Sequence, residues 1–119
     1  MKLPLTFKVS VVPGRGVGKK LGFPTLNFIL PAGSGLEFGV YAGYVNEYAA
    51  VFNYGPRPTF DLAEAILEAH LLGFSGTWEE VEVQVTLGTF LREIRKFDSA
   101  DDLKKQIRED IRQAKKLFP

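Results

Sequence analysis

The sequence predicts a mainly β domain: an antiparallel barrel of about six strands with one C-terminal α-helix. Three observations carry that expectation. Apolar and polar residues alternate with period two in several short segments before Leu87. Ten Phe and four Tyr, within a chain that is 45% hydrophobic, favour a sheet-rich interior. The period then changes once, near Ser99, to helical spacing.

The elements follow in order. Leu5, Phe7, Val9 and Val11 alternate with Thr6, Lys8 and Ser10, the pattern of a half-buried strand. A glycine-punctuated basic loop comes next, Gly14-Arg15-Gly16-Val17-Gly18-Lys19-Lys20. A second strand covers Thr25–Leu30 and stops at Pro31, before a loop at 32–35. Val40–Val45 and Tyr48–Phe52 form two strands around a tight turn at Asn46-Glu47. Asn53–Phe60 contains Gly55, Pro56 and Pro58 and reads as a structured loop. Ala65–Leu72 is a further strand. Val81, Val83, Val85 and Leu87 alternate with Glu80, Glu82, Gln84 and Thr86 in a long strand with one wet face. Ser99 can cap a helix whose apolar stripe is Leu103, Ile107, Ile111, Ala114 and Phe118. Asp101 and Asp102 suit its positive end, and Lys115 and Lys116 its negative end. Closing six strands into a barrel removes exposed edges, with the helix over the outside or one mouth.

A chain of 119 residues makes one domain, 1–119, with enough apolar content for a real core. The formal net charge of +1 gives no bulk attraction to nucleic acid, so no nucleic-acid partner is expected. The absence of cysteine excludes disulfides, thiol catalysis and thiolate metal sites, and fits a cytoplasmic location. Neither a signal peptide nor a membrane span is apparent, and a monomer is expected.

Two places carry candidate chemistry. If Thr25 and Asn27 lie on a strand, they project on one face, just beyond a loop rich in backbone N–H groups. Hard oxygen ligands suit Mg²⁺, and glycine turns can form anion nests, so the pair sketches a site for a metal-bound nucleotide phosphate. Glycines 14, 16 and 18 could equally make a plain hairpin loop, and the stretch is not a Walker A motif. Glu68 is the second place, a carboxylate in the otherwise apolar strand Ala65–Leu72, sharing a face with His70, the only histidine. A partly exposed face or a basic partner would also account for it. With one histidine, neither a zinc site nor a serine–histidine triad can be built. Arg92, Arg95, Lys96 and Phe97 cluster after the long strand, and Arg57 sits in the Pro-rich loop. The cluster taken alone reads most simply as surface charge, and Arg57 as a turn residue.

Taken together, these segments resemble riboflavin kinase, the flavokinase domain that also ends the bifunctional bacterial FAD synthetases. The pieces are Gly14–Asn27 with Gly-Phe-Pro-Thr-Leu-Asn, Gly39-Val40-Tyr41-Ala42, Asn53–Phe60, Glu68-Ala69-His70-Leu71-Leu72, and Leu91–Phe97 leading into the helix. The resemblance implies a six-stranded Greek-key barrel. It implies transfer of the ATP γ-phosphoryl group to the ribityl 5′-hydroxyl of riboflavin, giving FMN and ADP. It assigns Thr25 and Asn27 to Mg²⁺ and nucleotide phosphates, and Gly14, Gly16, Gly18 and Lys20 to the phosphates. Glu68 becomes the base on the ribityl hydroxyl, and Arg92, Arg95 and Phe97 become flavin contacts. The implied partners are the small molecules riboflavin and ATP. Where many family members carry Tyr-Gly, this chain has Glu79-Glu80 after Trp78. That departure keeps a second reading open: a non-catalytic flavin- or nucleotide-binding domain of the same fold, a sensor or partner subunit.

Overall fold

Alternating side chains give each strand one face to bury and one to expose, and the computed structural model assembles six such strands into a single curled sheet. It describes residues 3–12, 24–31, 35–56 and 64–119. The strands are β1 (Leu5–Ser10), β2 (Thr25–Pro31), β3 (Gly39–Val45), β4 (Tyr48–Pro56), β5 (Glu64–Leu71) and β6 (Glu82–Arg92). Helix α1 (Ala100–Leu117) follows. The order across the sheet is β1-β6-β3-β4-β5-β2, and every neighbouring pair is antiparallel. The two ends of that order meet just past β1. There Val12 bridges Asn27, and its N–H donates to the Asn27 carbonyl at 2.8 Å.

The inner face is apolar from edge to edge. Phe28, Phe52, Tyr54, Leu67, Val85 and Leu87 are fully buried in one cluster. Each such side chain contributes about 1.5–3 kcal/mol relative to an exposed one. Tyr41 brings a polar tip into this interior. Its hydroxyl donates to the Glu37 carbonyl. Burial, with the nearby Glu37 and Tyr54, pushes its phenol up to about 12.

The outer face carries a smaller apolar patch of Val40, Ala42, Val51 and Leu72, which Ala114 of α1 covers together with Ile111 and Phe118. The helix starts where the sequence places it. Ser99 Oγ accepts the Asp102 N–H at 3.1 Å, with Asp101 and Asp102 in the first turn and Lys115 and Lys116 in the last. Its far end docks through Phe118, whose ring meets Tyr44 edge-on and lies against Gly88, where an added methyl would stand 2.2 Å from it.

Two elements differ from the sequence expectation. β4 does not stop at Phe52. Asn53, Tyr54, Gly55 and Pro56 continue it, opposite Glu68, Leu67, Ile66 and Ala65 of β5. Proline is tolerated there because it is the final strand residue. The rest of the expected loop, with Arg57, lies outside the described residues. β6 also runs past Leu87 to Arg92, through two register shifts against β3. The first lets Phe90 turn inward onto Tyr41, and the second returns Arg92 to the outer face opposite Val40. Close approach at the first shift requires a glycine: a Cβ on Gly43 would lie 1.8 Å from the Thr86 carbonyl oxygen. Among the described residues, no helix is long and apolar enough to cross a membrane.

Candidate functional site

Strand register brings the candidate residues together. Asn27 stands opposite Glu68, Glu68 opposite Asn53, Asn53 opposite Val40, and Val40 opposite Arg92. One row thus crosses the outer face from β2 to β6. The neighbouring row sets Thr25 opposite His70, and His70 opposite Val51. Thr25 and Asn27 share a face, as their spacing predicts. Asn27 is 7% exposed, although its side chain is polar.

Glu68 is partly open to solvent, with a quarter of its side chain exposed. His70 is buried beside it, and its Nε2 lies 3.2 Å from Glu68 Oε1. This contact limits the carboxylate's rotation and leaves its other oxygen for a ligand. The apolar strand therefore carries a partly exposed carboxylate that lines a cavity rather than one within a core.

A cavity of about 340 Å³ opens above this row, close to the lower end of small-molecule pockets. Asn53, Glu68 and His70 form its floor. Arg92, Ile94, Arg95 and Phe97 from the end of β6 and the segment after it, and Leu103 and Ile107 of α1, complete the lining. The guanidinium carbons of Arg92 and Arg95 lie 5.9 and 5.7 Å from the Phe97 ring centroid, within cation–π range. Arg92, Arg95 and Phe97 thus line the same cavity as Glu68, with Arg92 and Phe97 half-buried and Arg95 exposed.

Other positions fall elsewhere. Gly14, Gly16, Gly18 and Lys20 lie outside the described residues. Trp78 packs edge-on with Phe74 and Tyr48 and donates its indole N–H to the Glu80 carbonyl at 2.8 Å. The Glu80 carboxylate accepts from Asn46 at the β3–β4 turn. The aromatic surface and one of the two unusual acids are therefore engaged in the fold.

Sequence reasoning missed Asn53 and Asp110. Asn53 was hidden by the loop expectation. Asp110 is 3% exposed on α1 and binds Arg92. Its signal was faint but present: it lies three residues after Ile107 and four before Ala114, on the buried stripe.

The arrangement fits a divalent cation by donor type. A hydroxyl and an amide oxygen on β2 stand in register with the β5 residues that include the Glu68 carboxylate, an all-oxygen set of the kind Mg²⁺ takes. Among the described residues, no group of three His, Cys, Asp or Glu side chains could hold a metal.

Fold and site together define a small curled antiparallel β domain with its polar site on the outer face of the sheet. A family model described as riboflavin kinase matches residues 1–118, and the chain belongs to that family. It is 37% identical over 113 residues to the bifunctional riboflavin kinase/FMN adenylyltransferase of Haemophilus influenzae, covering 91% of this chain and 37% of that protein. It is also 37% identical over 114 residues to a Bacillus subtilis protein named RNA-binding riboflavin kinase RibR, covering 92% of this chain and 49% of that one. A solved structure titled as a macrolide-efflux protein from Streptococcus pneumoniae superposes with a TM-score of 0.81 at 31% identity, covering 94% of this chain and 38% of that chain. The chain spans between a third and a half of the length of these relatives.

Proposed function

We propose that this domain transfers the γ-phosphoryl group of ATP to the ribityl 5′-hydroxyl of riboflavin, giving FMN and ADP. The observation that carries this is the single row across the outer face. It joins Asn27 and Glu68 at one end to Arg92 at the other, with a cavity above it.

Roles follow from chemistry. Phe97 and the two arginines offer flat, cationic surface to an isoalloxazine ring. The ribityl chain then runs along the floor toward Glu68. There the carboxylate accepts a hydrogen bond from the 5′-hydroxyl and aims the oxygen at phosphorus. As the new O–P bond forms and the bond to the ADP oxygen breaks, the hydroxyl proton passes to Glu68. An alcohol is far less acidic than a carboxylic acid, so this transfer is late, and Glu68 acts first by orientation. His70 holds the carboxylate in place. Thr25 and Asn27 would hold Mg²⁺, which neutralises charge on the phosphate oxygens when bound. Family resemblance gives Gly14, Gly16, Gly18 and Lys20 to the phosphates.

The test is incubation of the chain with riboflavin, ATP and Mg²⁺, with chromatographic detection of FMN. Stoichiometric FMN and ADP, abolished by chelator, is the expected outcome. Riboflavin binding without FMN would overturn the kinase reading in favour of a flavin-binding domain.

A further inference from the structure

Both sides of the arginine wall are open. One side faces the 340 Å³ cavity above Glu68. The other faces a second cavity of about 360 Å³, bounded by Arg92, Arg95, Gln106 and Asp110. Packing alone therefore does not fix these long side chains. Hydrogen bonds do. Arg92 Nε donates to Asp110 Oδ1 at 3.0 Å and Oδ2 at 3.3 Å, and Nη2 donates to Oδ2 at 2.8 Å. Arg92 Nη1 donates to the Glu93 carbonyl at 3.1 Å. Gln106 Nε2 donates to Asp110 Oδ1 at 3.0 Å, and its Oε1 accepts from Arg95 Nη2.

We infer that Asp110 is a positioning residue for the phosphoryl acceptor: from the helix it locks Arg92, and through Gln106 Arg95, as the flavin-facing wall of the cavity. The inference rests on the kinase reading above. A carboxylate this buried is costly unless paired and fully hydrogen-bonded, and all its described partners lie in this network. The fork of Arg92 matches the carboxylate edge-on, which fixes the guanidinium plane as well as its place. The plane is then set before a ligand arrives, and binding need not order it.

The test compares parent, Asp110→Asn, Arg92→Met and the double variant by riboflavin fluorescence quenching and steady-state kinetics. Asp110→Asn should weaken riboflavin binding and raise its KM about tenfold while kcat and the KM for Mg·ATP stay near parent values. The double variant should bind riboflavin no more weakly than Arg92→Met alone, since Asp110 acts through that arginine. Lower thermal stability with parent-like riboflavin affinity, or effects of the two single changes that add, would overturn the inference. Should Asp110→Asn not fold, Gln106→Ala replaces it at a half-exposed helical position. A several-fold rise in riboflavin KM would support the network, and an unchanged KM would overturn it. A parent that binds riboflavin but makes no FMN defeats the kinase reading alone, because the affinity measurements still decide the role of Asp110. A parent that does neither defeats both.

Discussion

The two faces of the sheet are built from the same strands, one residue apart, and do different work. Leu26, Phe52 and Leu67 point into the apolar interior, while Asn27, Asn53 and Glu68 line up on the outside. The inner face is continuous and apolar. The outer face is divided: α1 covers the apolar patch around Val51, and the polar row beside it stays open to a cavity. Strand alternation lets one sheet keep rigidity on one side and present chemistry on the other. The polar side chains inherit fixed positions from the core beneath them.

Substitutions on the two faces test that division, the largest effect first. Phe52→Ala removes a fully buried ring and should cost about 3–5 kcal/mol in urea unfolding. Loss of FMN formation should then track loss of fold. Glu68→Gln, on the outer face of the adjoining strand, should do the reverse. FMN formation should fall about 10²–10⁴-fold, while the urea midpoint and riboflavin binding stay close to the parent. A stability loss in Glu68→Gln comparable to that of Phe52→Ala would break the comparison. Thr25→Ala sharpens it on the nucleotide side: the KM for Mg·ATP should rise about tenfold with little change in unfolding or in riboflavin quenching. Unchanged nucleotide kinetics would remove Thr25 from the site. The mildest change is Ser99→Ala at the helix cap, which should cost about 1 kcal/mol and leave nucleotide kinetics as they are. A selective effect on ATP would place the helix on the wrong side of the division.

The inner face was legible in the sequence because period two and the Phe- and Tyr-rich composition both speak directly to burial. Helix α1 was legible from Ser99, the flanking charges and the stripe ending at Phe118. The end of β4 was not, because Gly55 and Pro56 signal a turn locally, and pairing with β5 overrides them. Glu68, Thr25 and Asn27 were legible as polar residues on strands, but only the register puts Asn27 and Glu68 opposite each other. The arginine cluster looked like surface charge because nothing within the segment reveals that the helix folds back beside it. Asp110 was illegible for a related reason: on a helix, aspartate reads as a wet position, and its partner Arg92 is 18 residues earlier in the chain.

The helix that walls the cavity follows all six strands in the chain. During synthesis the sheet emerges from the ribosome first, with Val40, Ala42 and Val51 still bare on its outer side. At that moment the nascent chain has Glu68, Thr25 and Asn27 but lacks Leu103, Ile107 and Asp110. It could complete its strand pairing and still lack the helical side of the cavity. The wall formed by Leu103 and Ile107 thus arrives only with translation of residues 100–117.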